Sequence, residues 1–409
     1  MLEQLKKYAK LFVNVGGNIQ EGDMVIIGCD IGVAPFARLV QECAYDAGAS
    51  EVVMNWHDDP SARAKYLRAD SSVFETYPQW SVDKLAYQDE KKAVYLHILS
   101  SDPKLFEGVD QERLNKYNKI SSEAIKVHRD KLMNSELRWS ACAAASPEWA
   151  RMVFPDLPED EAVSRLWECI LKAARAEGED PISDWDAHKK NITKYADYLN
   201  EQQFKSLHIT TGLGTDVTIG LFKDHIWIAG GGKSKDGISF VPNIPTEEVF
   251  TAPHVDEVDG TIVASMPLEY QGNIIENIHL IFEEGKVAKF GSRTNLKLLE
   301  DLIETDEGSQ YLGEIALVPN SSPISGMNTL FYSTLFDENA SSHAALGAAY
   351  PKNMFGGTLL SRETLLEMGL NNSLIHVDFM FGTADMNVTG IKADGTKVLF
   401  FQNGEFCFS

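Results

Sequence analysis

Four separated stretches in the C-terminal half of the chain carry carboxylates and imidazoles that could do hydrolytic chemistry. They cover residues 245–248, 312–314, 337–350 and 376–378. A site for two divalent cations needs this mixture, because a carboxylate can bridge two cations and each imidazole offers a neutral nitrogen. A water held between such cations becomes hydroxide near neutral pH. The residue types therefore fit a two-metal hydrolytic site.

The spacing within these stretches adds little to that interpretation. His376 and Asp378 are two residues apart, so on a strand they would share one face while Val377 pointed to the other. His343 follows Glu338 by five residues, which fits a loop or a loose helical turn. A buried histidine is more often a hydrogen-bonded core residue than a ligand, Glu338 alone could stabilise a helix start, and no His-Glu-x-x-His signature is present. Spacing alone leaves these alternatives open.

Longer motifs resemble a known family. They are found at residues 243–253, 312–314, 335–343, 347–350 and 376–380. The first of these, Asn-Ile-Pro-Thr-Glu-Glu-Val-Phe-Thr-Ala-Pro, is long enough to be specific. In order and spacing the motifs resemble the family of aminopeptidase T, aminopeptidase S and PepS, which are dinuclear metallo-aminopeptidases of bacteria. The streptococcal and staphylococcal members look most similar, and the resemblance extends more weakly over the whole chain.

The resemblance implies which residues form the site. The family's metal-site positions match six residues of this chain: Glu248, Glu314, Glu338, His343, His376 and Asp378. Among them Glu314 matches the carboxylate that bridges both ions, and Tyr350 matches a tyrosine at the active centre. The choice of Glu248 over Glu247 rests on the family spacing, because adjacent strand residues face opposite ways and only one of them can point inward.

The resemblance also implies the reaction. A hydrolase of this kind releases N-terminal residues from short peptides with a free N-terminus, using water activated by two divalent metal ions per chain. Zinc suits carboxylate with imidazole best, and cobalt, manganese or magnesium could replace it. Either Glu338 or Glu247 could act as the general base. The family further implies a homodimer whose active sites face an interior space.

Two other functions use similar residue types. A dinuclear phosphoesterase needs the same ligands, but it also needs basic side chains that grip phosphate. Residues 310–350 contain no Lys or Arg, and the first basic residue after Glu314 is Lys352. A non-catalytic metal- or peptide-binding protein would keep the fold without turnover. The resemblance favours the peptidase over both.

Composition and charge exclude several other classes. The chain has 409 residues, of which 44% are hydrophobic, and a net charge of −23. Such a charge argues against nucleic-acid binding, which needs clustered Lys and Arg. The five cysteines are scattered without a Cys-x-x-Cys pair, so a disulfide framework and a thiolate metal site are not expected. No apolar run reaches the ~18 residues of a membrane span and no signal-peptide core is present, so we expect a cytoplasmic protein.

The pattern of the chain changes near residue 200. Before it, apolar strand-like runs at residues 24–27, 51–56, 93–99 and 137–142 alternate with helical segments, which predicts a mostly parallel sheet. After it, the chain is rich in short strands and glycine turns; residues 211–216 fit a hairpin turn better than a phosphate loop. We therefore predict an α/β N-terminal domain (1–190) and an α+β C-terminal catalytic domain (191–409) that holds every candidate ligand.

Overall fold

The computed structural model describes residues 1–100 and 102–408. The chain forms two compact units. Met1–Lys189, Gly231–Thr246 and Gln271–Asn273 make up the first unit, and the other described residues make up the second. Two short segments from the C-terminal half thus belong to the first unit. The division into an N-terminal domain (1–190) and a catalytic domain (191–409) stays a prediction.

The first unit contains a parallel sheet of four strands. These are β1 (Met24–Asp30), β2 (Glu51–His57), β3 (Val94–Leu99) and β4 (Trp139–Ala143), in the order β2-β1-β3-β4. Val25, Ile26 and Ile27 are buried, as expected where helices cover both faces of a parallel sheet. The helices, of which the last continues into the second unit, are α1 (Leu2–Leu11), α2 (Ala34–Asp46), α3 (Asp59–Arg68), α4 (Gln79–Glu90), α5 (Gln111–Ala124), α6 (Lys126–Met133), α7 (Pro147–Val153), α8 (Glu159–Ala173) and α9 (Pro181–Gln202).

The chain beyond α9 is dominated by strands. Among the described residues, three short α-helices interrupt them: α10 (Leu296–Ile303), α11 (Thr334–Asp337) and α12 (Arg362–Glu367). The strands are β5 (Ser206–Thr210), β6 (Asp216–Leu221), β7 (Ile228–Ala229), β8 (Gly232–Lys233), β9 (Ser239–Phe240), β10 (Val249–Thr251), β11 (Pro253–Val263), β12 (Leu268–Tyr270), β13 (Asn273–Ile275), β14 (His279–Glu283), β15 (Lys286–Gly291), β16 (Leu312–Leu317), β17 (His343–Gly347), β18 (His376–Met380), β19 (Asn387–Ile391), β20 (Lys397–Gln402) and β21 (Glu405–Phe406).

Two large sheets make up most of the second unit. An eight-stranded sheet has the order β15-β14-β11-β6-β5-β19-β20-β21, and a five-stranded sheet has the order β18-β17-β16-β10-β7. Thr210 pairs with Asp216, so the glycine-containing stretch between them is a hairpin turn, as predicted. β7, in the half predicted to be rich in short strands, has only two residues and begins at Ile228. With a parallel sheet in the N-terminal part and mixed elements beyond it, the predicted fold class is confirmed.

The five-stranded sheet has two different faces. In antiparallel strands, paired residues point to the same side and neighbours along a strand alternate. Ile315 pairs with Ala344, which pairs with Phe379, and all three join the apolar core of the second unit. The intervening positions therefore point to the opposite face. No helix among the described residues is long and apolar enough to cross a membrane.

Candidate metal centre

The strands of the five-stranded sheet carry most of the candidate ligands. Glu314 lies in β16, His343 begins β17, and His376 and Asp378 lie in β18. His343 pairs with Ala316 on one side and with Met380 on the other, so these side chains share the face opposite the apolar core. Alternation along β18 then brings His376 and Asp378 to that same face, as their spacing predicted.

A bulge in β16 turns Glu314 toward this face. Leu312 pairs with Leu346 on the core face, yet Glu314, two residues later, pairs with Ala345 on the ligand face. The extra residue is Gly313, which reverses the alternation. Any Cβ at this position would lie 2.3 Å from the carbonyl oxygen of Gly347. Only glycine permits this close approach of the two backbones.

The structure distinguishes Glu248 from its neighbour Glu247. Phe250 pairs with Ala316 and so belongs to the ligand face, and Glu248 precedes Phe250 by two residues. The Oε2 atom of Glu248 lies 3.1 Å from Nε2 of His343. Glu247 is buried, and its backbone N–H donates a 2.7 Å hydrogen bond to Asn339. The geometry therefore agrees with the choice that the family spacing made.

Two groups of three side chains bring their possible ligand atoms within 4.8 Å of one another. Glu248, Glu314 and His343 form the first group, and Glu314, His376 and Asp378 form the second. Glu314 belongs to both groups. Its Oε1 atom is 3.6 Å from Nε2 of His343, and its Oε2 atom is 3.6 Å from Nε2 of His376. One carboxylate thus faces both imidazoles, one oxygen to each.

Backbone carbonyls orient both imidazoles. Nδ1 of His343 donates to the carbonyl of Ser341 at 3.1 Å, and Nδ1 of His376 donates to that of Ala348 at 2.6 Å. Because a carbonyl only accepts, Nδ1 carries the proton and the Nε2 lone pair of each neutral ring faces the carboxylates. An imidazole lone pair and a carboxylate at such distances require a proton or a metal cation between them. Metal-binding histidines in proteins usually donate their other ring N–H to a carbonyl or carboxylate in this way.

One oxygen of the cluster has no hydrogen bond. Oδ1 of Asp378 is buried and finds no partner of acceptable hydrogen-bond geometry, although it lies 3.4 Å from Nε2 of His376. A buried acceptor without a donor is costly unless something else satisfies it. A divalent cation satisfies carboxylate oxygens and imidazole nitrogens together. The donor set therefore fits metal ions.

The shifted pKa values in the cluster also show that its buried carboxylates need positive charge nearby to stay ionised. Burial raises the pKa of Glu338 well above its ordinary value, and the charge of Asp378 raises it further. Burial also raises the pKa of Glu314. Burial disfavours the charged form of His376, but Asp378, Glu314 and the carbonyl of Ala348 together outweigh this effect and raise the pKa to about 10. Buried carboxylates at this density hold either protons or metal cations.

Glu338 lies beside the two groups without belonging to either. It follows α11 directly, its side chain is buried, and its Oε1 atom accepts a 3.3 Å hydrogen bond from Asn339. It senses the charges of Asp378, Glu248 and Glu314 strongly enough to shift its pKa. Glu338 is therefore close to the cluster, in a position different from the other five predicted ligands.

Aromatic rings line another side of the cluster. The ring of Tyr350 lies edge-on to that of His376, with 5.1 Å between the ring centroids. The ring of Phe250 lies 6.0 Å from that of Tyr350. The amine of Lys352 sits over both rings, 4.8 Å from the centroid of Tyr350 and 5.1 Å from that of Phe250. Tyr350 thus adjoins a predicted ligand, as the resemblance implied.

Sequence reasoning missed two residues at this site. Asn339 is fully buried and contacts both Glu247 and Glu338, while Lys352 entered the sequence analysis only as a basic residue that a phosphoesterase would need nearer the ligands. The signal for Asn339 was its place directly after Glu338 in a stretch that is otherwise apolar or small. For Lys352 the signal was its place two residues after Tyr350.

A third group of possible ligands lies in the first unit and has a structural explanation. It consists of Asp30, His57 and Asp59. Both oxygens of Asp30 accept backbone hydrogen bonds, one from Gly32 at 2.6 Å and one from Asp59 at 2.9 Å. His57 is exposed. Asp30 therefore caps the backbone where β1 and β2 end.

Comparison with known proteins identifies the family of the chain. A family described as thermophilic metalloprotease (M29) matches residues 1–406. Aminopeptidase AmpS of Bacillus subtilis is 43% identical over 406 residues, covering 99% of both chains. Aminopeptidase PepS of Streptococcus thermophilus is 42% identical over 405 residues, covering 99% of this chain and 98% of that protein. The structure of wild-type AmpT from Thermus thermophilus superposes with a TM-score of 0.92 and 38% identity over the whole of both chains.

These matches confirm the resemblance that the motifs indicated, including the streptococcal similarity. They support the peptidase over the phosphoesterase and the non-catalytic binding protein. The family match covers both units, so no part of the chain stands outside the comparison except the last few residues. The chain belongs to the thermophilic metalloprotease (M29) family and is a metal-dependent aminopeptidase.

Proposed function

We propose that the chain removes N-terminal residues from short peptides by means of two divalent metal ions. The observation that supports two ions is the position of Glu314, whose two oxygens face two different histidines. A carboxylate in that position suits a bridge between ions, because Glu314 would be a ligand shared by both. His343 and Glu248 would hold one ion, and His376 and Asp378 would hold the other.

The donor set suits zinc best, since it combines neutral imidazole nitrogens with carboxylates. Cobalt, manganese or magnesium could replace zinc, because the order of affinities does not fix which ion is loaded. Glu338 is the sixth proposed ligand. Its position beside the two three-residue groups also suits it to exchange protons. Short peptides as substrates and a homodimer complete the proposal and rest on the family resemblance. A cytoplasmic location stays a prediction from the sequence.

When bound, the ions supply polarisation of the scissile carbonyl and a lowered pKa for the attacking water. The protein residues do the rest. Glu338 takes the proton of the attacking water and passes it to the leaving amine. The hydroxyl of Tyr350 donates a hydrogen bond to the oxygen that gains charge in the transition state. The carbonyls of Ser341 and Ala348 keep the imidazoles oriented throughout.

Substitution of Glu314 tests the proposed bridge. We expect Glu314→Gln to hold fewer than two ions per chain and to lose nearly all turnover, because the amide keeps the shape but removes the negative charge. Glu247→Gln is the matched control and should have a milder effect, since Glu248 faces the cluster. Metal analysis of each purified variant and hydrolysis of an aminoacyl reporter measure both effects. Two ions and a normal rate in Glu314→Gln would place the bridge elsewhere.

Light scattering tests the proposed assembly. One chain has a mass of 45.4 kDa, so a homodimer should scatter as twice that mass. A single-chain mass across the working concentration range would contradict the dimer and leave the catalytic proposal intact. Peptides of increasing length test the substrate class, because an enclosed site should cleave long peptides far more slowly than short ones.

A further inference from the structure

Lys352 is a partly buried cation that lacks a counter-ion. Among the described residues (1–100 and 102–408), no carboxylate lies within 4.0 Å of its amine. The amine lies over the aromatic rings of Tyr350 and Phe250, at 4.8 and 5.1 Å from the ring centroids. Aromatic faces stabilise an ammonium, but less well than an anion does once water is excluded. The amine is therefore ready to pair with a negative group from outside the protein.

The turn that carries Lys352 is firmly held. It spans Pro351–Asn353, and the buried side-chain amide of Asn353 donates to the carbonyls of Ile226 and Phe250 at 3.1 and 3.3 Å. In return, the backbone carbonyl of Asn353 accepts a 2.7 Å bond from Ile226. The amine is thus positioned by a fixed backbone, and Phe250 links that backbone to the ligand face.

Negative and positive groups occupy different parts of the site. Carboxylates cluster around the histidines, whereas the amine of Lys352 lies over the ring of Tyr350, which in turn contacts the ring of His376. The amine still senses Glu314 and Glu248 electrostatically, so it is close to the centre. A zwitterionic dipeptide has complementary charges. Its ammonium precedes the scissile bond, and its carboxylate follows only one residue later, about 3.8 Å along the chain.

We propose that Lys352 binds the terminal carboxylate of a dipeptide substrate and thereby makes the enzyme prefer dipeptides. This inference rests on the proposed action on short peptides. A longer peptide or a dipeptide amide places a neutral group at the same position and leaves the ammonium unpaired. A charge-assisted hydrogen bond to carboxylate is stronger than one between neutral groups, so the preference is expressed chiefly in KM.

A matched pair of substrates tests this role. One is a dipeptide with a free carboxylate, and the other is the same dipeptide as its C-terminal amide. For the wild-type enzyme we expect kcat/KM to be about 10- to 100-fold higher for the acid, as a bond to a charged group would give. Lys352→Met should bring this ratio close to one. Lys352→Arg should keep much of it, and Lys397→Met, which removes an exposed lysine from β20, should not alter it.

Each outcome decides the proposal. A wild-type ratio near one overturns it without any variant, so a poorly folded Lys352→Met leaves the test valid. Equal losses on acid and amide in Lys352→Met also overturn it, because the amine would then act on atoms common to both substrates. Hydrolysis of the amide at any ratio shows that the aminopeptidase proposal survives. Failure to cleave either dipeptide overturns both. Metal content and thermal unfolding are measured for every variant.

Discussion

The side chain of Asn339 offers a sharp test of how the ligands are held. Its Oδ1 atom accepts the 2.7 Å bond from the backbone N–H of Glu247, next to Glu248. Its Nδ2 group donates to the carbonyl of Leu335 at 2.9 Å and to Oε1 of Glu338 at 3.3 Å. One amide therefore connects the segment that carries Glu248 to the segment that carries Glu338. Asn339→Ala removes the connection without replacing a predicted ligand.

The expected loss of stability in Asn339→Ala follows from the backbone groups that lose their hydrogen-bond partners. The N–H of Glu247 and the carbonyl of Leu335 belong to buried residues, and each would lose a hydrogen-bond partner. An unpaired buried polar group costs about 1 to 3 kcal/mol, so we expect the free energy of unfolding to fall by about 2 to 6 kcal/mol. Groups that orient metal ligands typically contribute about 10- to 100-fold to metal affinity. Asn339→Ala should therefore weaken ion binding by that factor.

Asn200→Ala provides the matched control. The side chain of Asn200 accepts from the N–H of Trp227 at 2.8 Å and donates to its carbonyl at 2.9 Å, so its removal also frees one N–H and one carbonyl. Urea unfolding should show comparable losses of stability for both variants. Titration with a fluorescent zinc competitor should show weaker ion binding only for Asn339→Ala. Ion affinities within threefold of each other would refute the idea that Asn339 positions the ligands.

Three further predictions concern rate, metal and pH. Tyr350→Phe should lower kcat roughly 10²- to 10³-fold with KM, metal content and thermal stability near wild type, and a kcat within about threefold would show that the hydroxyl does not act on the transition state. Adding zinc to chelator-stripped protein should restore activity only beyond one equivalent per chain, and full activity at one equivalent would contradict the dinuclear site. Burial, aided by the charges of His128 and His57, lowers the pKa of His97 from 6.5 to about 4, so stability that is complete above about pH 6.5 is lost as pH falls toward 4. Between pH 7.5 and 5, wild type should lose about 2 kcal/mol more unfolding free energy than His97→Gln, and equal losses in urea titrations would refute this.

The strand positions of the site could be predicted because they follow local rules. His376 and Asp378 share a face since alternation along a strand has a period of two, and the structure places them so. The same rule could not choose between Glu247 and Glu248. That choice depends on the pairing of Phe250 with Ala316, and the sequence alone does not reveal which strands pair. The fold class of each half was predictable for a similar reason, since apolar runs and glycine turns are local signals.

Other features depend on contacts between distant residues. The segments Gly231–Thr246 and Gln271–Asn273 belong to the first unit although their composition resembles that of the strand-rich half around them. The N–H of Ala141 bonds to the carbonyl of Pro242, and the N–H of Ile244 bonds to the carbonyl of Ala141, so β4 draws the first segment to its edge. Likewise, Lys352 gains its importance only from rings brought beside it by folding. Such tertiary contacts leave no periodic signal along the chain.

The bulge at Gly313 has a consequence for protein engineering. Without it, regular pairing would align Glu314 with Ala344, whose side chain belongs to the apolar core. A designer who grafts these ligand types onto straight strands would therefore bury a charge among leucines and lose the shared carboxylate. The transferable unit is the ligand set together with one inserted glycine and the partner carbonyl of Gly347 that it approaches. In a directed-evolution library, position 313 should accordingly tolerate almost no substitution, although its residue has no side chain to do chemistry.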